Sequence, residues 1–340
     1  MRTVTMTIVI GVALTACSGS SDPATTVVTP TTATPSTTVA ATKPPPTTTT
    51  LAPVHPLTGQ PGRPNSGQPL IVKIDNAPKA RPSVGLGSAD VIIEVLVEGG
   101  IPRFLGVFQS VIPPEIGPVR STREVDPKLI GPFDSRFAFS GGDLTVQAAL
   151  QEVAILESHD LLGDESYLRD PKRPATYNLI LQTAKLPKRA FQGPVPSPIA
   201  FFEDNSTGAE PAKTIRIDAS SRDQAGFEFK DNSYFRLQDG APLLDVEGKQ
   251  LEADSVVVVF VKQLSTGRKD ASGAAVPDYE VSGEGDAILF RDGTAVEGSW
   301  ARDKEDEFFR LENQTGKAVG PPPGRTWYLV VPIGRQVTWS

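Results

Sequence analysis

Soft side chains are nearly missing from this sequence: 340 residues hold one cysteine, two histidines and two methionines. A single thiol excludes an intrachain disulfide. His55 and His159 are the only imidazoles, and His55 falls in a linker-like segment, so a zinc site of histidine and cysteine cannot be assembled within one chain. A Ser-His-Asp triad would have to use His159, which no Gly-x-Ser-x-Gly elbow accompanies. We therefore expect no metal and no cofactor. The formal charge of −7 at pH 7 does not suit a nucleic-acid partner, which requires a basic face. Nor does any apolar run approach the ~20 residues needed to span a bilayer.

The one thiol has a different use. Cys17 closes the stretch Leu14-Thr15-Ala16-Cys17, at the exit of a short apolar run that follows Arg2. A charged start, a short apolar centre and a small-residue exit make a secretory signal peptide; a cysteine at the exit makes it a bacterial lipoprotein signal. The mature chain is expected to begin at Cys17, which carries a diacylglyceryl thioether and an acylated, palmitate-type amine. Two or more acyl chains hold a protein stably on a membrane. The other reading is a plain secretory segment with an incidental cysteine. The lipoprotein reading places the chain on the extracytoplasmic face of the cell membrane, with the membrane as its first partner. Residues 18–56 are dominated by Thr, Pro, Ala and Ser, a composition that buries no core, and are expected to form a disordered tether.

The rest is long enough for two domains. We expect an α+β protein with an N-terminal α/β domain of mixed sheet over 57–200, a linker at 201–212 and a β-rich domain over 213–340. Strands are predicted at 70–74, 90–98, 103–109 and 136–139, followed by a helix at 143–152 with Asp143 as N-cap. Gly99-Gly100-Ile101-Pro102 reads as a hairpin connection that sets Glu98 opposite Arg103, which predicts an ion pair. In the second domain strands are predicted at 214–218, 234–237, 255–264, 287–290, 295–300, 308–311 and 326–332, with Asp239-Gly240 and Asp292-Gly293 as turns. Trp300 and Trp327 either fill the core or, with Arg302 and Arg325, form a sugar-stacking platform.

Chemistry is suggested by arginine. Gly117-Pro118-Val119-Arg120-Ser121-Thr122-Arg123 places two guanidiniums and two hydroxyls together, and a guanidinium grips phosphate or carboxylate with a planar fork of donors. The same residues also read as a capping box, with Pro127 limiting the turn that follows. Ser140-Gly141-Gly142 before the predicted helix resembles an anion cradle, or serves only to allow positive φ. Tyr167 to Pro174 carries Arg169 and Arg173 on a proline-stiffened path, either as a presented pair or as a solvated loop. The candidate ligand-binding residues are Arg81, Arg103, Arg120, Arg123, Arg169, Arg173 and Asn178. Asp75, Asn76, Glu94, Glu98, Ser140, Gly141 and Gly142 would support them.

The segments Pro56-Leu57-Thr58-Gly59, 72–82, 89–94, 97–104, 117–123, Ser140-Gly141-Gly142, 167–173 and Tyr177-Asn178-Leu179 resemble the YerB-like lipoprotein family of bacteria; Gly298-Ser299-Trp300 and Gly324-Arg325-Thr326-Trp327 resemble its second domain more thinly. The resemblance implies a two-domain envelope lipoprotein of unknown function and supplies no catalytic residue. Tyr177 stands where the family tends to have histidine, and a phenol is a poor general base near neutral pH. The order of strand, hairpin, arginine loop and glycine turn is also similar to LytR-CpsA-Psr phosphotransferases, without their motifs. The reading that emerges is a binding protein with an arginine-lined cleft for an anionic envelope ligand, rather than an enzyme, with catalysis left open. Two others stay open: a metal-dependent phosphotransferase or hydrolase acting on a pyrophosphate-linked envelope polymer, using Asp75, Glu94 or Glu98, and a scaffold that binds a protein partner through the β-rich domain.

Overall fold

Thr326–Pro332 reads TWYLVVP and is buried at every position, the pattern of a strand covered on both faces. In the computed structural model, which describes residues 53–340 apart from 63, 64, 66, 204–208 and 271–272, this strand holds the middle of a thirteen-stranded mixed sheet. It runs parallel to Ser255–Lys269 on one side, where Ser255 faces Thr326, and parallel to Val91–Leu96 on the other, where Val91 faces the same residue. Beyond Val91–Leu96 come Pro102–Phe108, Leu70–Asp75, Ser135–Ala138 and Ala154–Leu156. Beyond Ser255–Lys269 come Gly283–Arg291, Thr294–Arg302, Arg310–Asn313 and Ala318–Val319. Residues from both halves of the sequence thus share one sheet, inside one compact unit from Leu51 to Ser340. The expected division at 201–212 does not separate two cores.

A six-stranded antiparallel sheet is formed mainly by Thr214–Ser220, Asp223–Lys230, Ser233–Gln238 and Gln336–Trp339. Thr214–Ser220 alternates exposed with buried residues at its start, as expected of a strand with one wet face. The small sheet's inner side chains meet the large sheet: Phe227 packs edge-on against Trp327, with ring centroids 5.6 Å apart, beside the large sheet's own Phe104 at 5.5 Å, and the half-buried Trp339 packs against Phe290 at 5.8 Å. Trp300 and Trp327 are both buried, so they belong to the core and no sugar platform exists there. A three-stranded sheet of Glu115–Ile116, Leu179–Gln182 and Tyr167–Arg169 flanks the N-terminal half.

Local expectations fared differently. Asp143 caps the helix Leu144–Gln151 by accepting the Thr145 N–H at 2.8 Å. Asp292 and Gly293, at φ 51° and 71°, make the tight hairpin that two positive-φ residues allow. Pro127 does not limit a turn begun at Ser121; it lies in the first turn of the helix Asp126–Ile130, where a missing N–H costs nothing. The register near Glu98 also differs, since Val95, not Glu98, faces Arg103. Gly99 and Gly100, both at φ 70°, lengthen the connection and lift Glu98 out of the strand. Residues 53–56, expected in the tether, join the fold: Val54 bridges Pro61, and the His55 N–H donates to the Gln60 carbonyl at 2.8 Å. Cys17 and residues 18–52 lie outside the described residues.

Candidate functional site

Four connections converge at the end of Leu70–Asp75. Asp75 closes that strand opposite Arg103, and the 117–123 segment crosses beside it, its Arg120 N–H donating to the Lys73 carbonyl at 2.9 Å. The glycine turn follows, with the Ser140 N–H donating to the Arg120 carbonyl at 3.0 Å. Arg169 and Leu179 end a two-strand ribbon, so the basic, proline-stiffened stretch is a hairpin loop that returns over the cluster.

At the centre stands Arg120. Its Nε lies 2.7 Å from Asp75 Oδ2, one Nη donates to the Thr176 carbonyl at 3.3 Å, and its guanidinium sits 5.5 Å from the centre of the Tyr177 ring. Thr176 holds φ at 76°, a conformation a β-branched residue adopts only under strain, and such strain concentrates at functional sites. Around this centre, Arg173 donates to the Ala80 and Pro82 carbonyls at 3.0 and 2.8 Å and lies 3.3 Å from Asp170. Arg81 donates to the Asn76 backbone and side-chain oxygens at 3.0 and 3.1 Å, and reaches Asp239 at 3.5 Å. Arg169 is exposed and donates to Asn178 Oδ1 at 3.3 Å; among the described residues it forms no ion pair, the adjacent Asp170 pairing with Arg173 instead.

The remaining candidates face inward. Arg103 is buried and donates to the Ser121 carbonyl at 2.9 Å, while its Nε finds no partner among the described residues. Burial, and then the neighbouring Arg123 charge, pull its pKa down to about 10. Arg123 is gripped by Glu98, through Nε and, at 2.9 Å, through Nη2. The predicted Glu98–Arg103 pair is therefore a Glu98–Arg123 pair. Asn76 donates to Gln238 at 3.0 Å. Glu94 belongs elsewhere: it accepts from Arg236 at 2.8 Å and from the Trp327 indole at 2.9 Å, beneath the small sheet. Asp75, Glu94 and Glu98, the three acids considered for acid, base or metal work, thus each serve a different cation. Among the described residues no group of three or more His, Cys, Asp or Glu side chains gathers for a metal.

Ser140, Gly141 and Gly142 form no open cradle. The Gly141 carbonyl accepts the Thr122 N–H at 3.1 Å, and a Cβ on Gly142 would stand 2.3 Å from Thr122 Cγ2. The glycines are there for close approach. Asp143 occupies the helix N-terminus with its own carboxylate and pairs with Arg268.

Sequence reasoning missed Lys73, Asp126 and Arg268. Lys73 Nζ meets Asp126 Oδ1 at 2.6 Å, both side chains fully buried, and Asp126 also accepts the Arg123 N–H at 2.7 Å. Burial lowers the Lys73 pKa, with Asp126 opposing. A lysine inside the otherwise apolar run before Asp75 was the available clue, because a buried ammonium needs an acid. Arg268 comes from the long strand of the C-terminal half and pairs with Glu124 as well as Asp143. It helps enclose a cavity of about 440 Å³ shared with Glu98, Thr122, Arg123 and Gly142. The lining of that cavity holds four acids against three bases, so the uncompensated positive charge lies on the Arg120–Arg169 side.

Residues 57–194 match the N-terminal domain model of DUF3048, described as a protein of unknown function, and residues 214–328 match the corresponding C-terminal domain. The chain is 30% identical over 278 residues to "Putative lipoprotein YerB" of Bacillus subtilis (strain 168), covering 78% of this chain and 81% of that one. It also superposes on the crystal structure of the YerB protein from Bacillus subtilis with a TM-score of 0.71 and 25% identity, over 84% of this chain and 99% of that one. With both domain models in order and a relative matched over most of its length, the chain belongs to the YerB-like family, DUF3048.

Proposed function

We propose that this is a lipid-anchored cell-envelope protein that binds an anionic phosphate or carboxylate ligand at the mouth formed by Arg81, Arg120, Arg169, Arg173 and Asn178. One observation carries the reading: Arg169 stays exposed without an acid partner among the described residues, at the base of a loop that also holds Arg120 through the strained Thr176. Asp75, Asp170 and Asp239 answer only part of the positive charge there. A locally positive mouth on a chain of net −7 concentrates anions at one place. Arg103 and Arg123 lie behind it and set the shape of the 117–123 segment. The lipoprotein name of the Bacillus relative and the Leu14-Thr15-Ala16-Cys17 stretch support anchoring through Cys17.

Isothermal titration of the full chain in mild detergent with inorganic pyrophosphate tests the mouth. Arg120→Ala combined with Arg169→Ala should weaken binding by about tenfold or more, the worth of a charge-assisted hydrogen bond. Equal affinity in both proteins removes the reading. For the anchor, Cys17→Ser should move the chain out of the membrane fraction, and retention there would count against lipidation.

A further inference from the structure

Gln336–Trp339 is the last strand of the small sheet, bonded on one side to Thr214–Ser220 and, among the described residues, free of strand partners on the other. Its phase is fixed by its neighbour: the Ser340 N–H donates to the Thr214 carbonyl at 3.1 Å and the Thr214 N–H donates to Ser340 at 2.9 Å. In an antiparallel pair bonded residues alternate, so Thr338 and Gln336 bond to Arg216 and Asp218. The N–H and C=O groups of Val337 and Trp339 therefore point away from the sheet.

They point along an open groove of about 910 Å³, bounded by this strand and by the face of the large sheet. Across that face Asp286 pairs with Ser299 and Ser299 with Glu312, while Ile288 pairs with Glu297 in the next row. Asp286, Glu297 and Glu312 are exposed, and no lysine or arginine pairs with any of them among the described residues. Phe260, Ile288 and the half-buried Val337 and Trp339 add apolar surface close to the free edge. Arg335, at the end of the groove, is the only cation in its lining.

We propose that this groove binds an extended, basic segment of another protein by strand addition to Gln336–Trp339. Main-chain bonds to Val337 and Trp339 supply the pairing, and alternate side chains face the large sheet. A row of carboxylates there selects lysine or arginine at those alternate positions, while the residues between them face solvent. The face is separate from the arginine mouth, so the two proposals stand or fall independently.

The full chain in mild detergent is titrated with a fluorescent hexapeptide of alternating lysine and valine, and with its glutamate–valine counterpart. The lysine peptide should bind and weaken as salt is added, and the glutamate peptide should not bind. Val337→Pro removes one outward N–H while sparing the bonds to Thr214–Ser220, since proline is tolerated where a strand N–H faces away from the ladder. It should weaken binding by about three- to tenfold, with an unchanged melting curve. Glu297→Gln with Glu312→Gln, exposed and outside every core contact, should weaken it and flatten the salt dependence. Absence of binding, equal binding of both peptides, or an unaffected Val337→Pro variant overturns the proposal. So does concentration-dependent dimerisation abolished by Val337→Pro, which would give the edge to a second copy of the chain.

Discussion

Lys73 and Asp126 show how this protein tolerates charge in its interior. The pair is fully enclosed, and Asp126 takes a second bond from the Arg123 N–H, so each member compensates the other's loss of water. Asp126→Ala would strand the ammonium, and breaking a buried pair from one side costs about 3–5 kcal/mol; a matching fall in the urea unfolding free energy is expected. Asp90 is the opposite case. Its carboxyl is raised above the ordinary range by burial, although the Ser110 and Gln109 N–H groups pull the other way. A carboxyl raised on folding holds its proton longer as pH climbs, so the folded chain binds more protons than the unfolded one and loses stability as pH rises through that window. Asp90→Asn keeps an oxygen for both N–H groups. It should equal the native protein in acid, below the ordinary carboxylate range, and exceed it at neutral pH, as read from urea midpoints at the two conditions.

At the level of elements, the glycine turn and the 117–123 segment hold one another in place. Gly142 stands at φ 140° with Thr122 pressed against it. Gly142→Ala should therefore destabilise by about 1–3 kcal/mol, and adding Thr122→Ser, which deletes the clashing methyl, should recover part of it by chemical denaturation. Elements with a local cause were legible in the sequence. Asp143 at a helix start and Asp292-Gly293 between two strands each act within a few residues, and the structure has both. Glu98 was misplaced because two left-handed glycines set the length of its turn, and composition alone does not give that length. The arginine loops were visible as charge, but their partners were not: Asp75, Glu98 and Asp170 could be matched to Arg120, Arg123 and Arg173 only once the strands were laid side by side.

For the whole molecule, the decisive contact is the least local one. Thr326–Pro332 lies between strands from both family domains, and a polar chain from Asn76 through Gln238 and Arg236 to Glu94 ties the small sheet to the N-terminal half. Nothing short-range in the sequence announces a parallel pairing between residues more than two hundred positions apart. Neither half should be stable alone. Chains covering 53–200 and 209–340, expressed separately, are expected to lack a cooperative melting transition and to regain one when mixed; two independent melts would contradict the shared sheet.

The long stretch of sequence between that strand and Val91–Leu96 also bears on the order of folding. Val91–Leu96 must wait for it with one ladder of backbone groups unbonded, so the large sheet cannot close until residues through Pro332 are in place. Pairings across such separations form slowly. Late closure leaves the intervening chain pliable until Thr326–Pro332 docks, and only then does the large sheet lock.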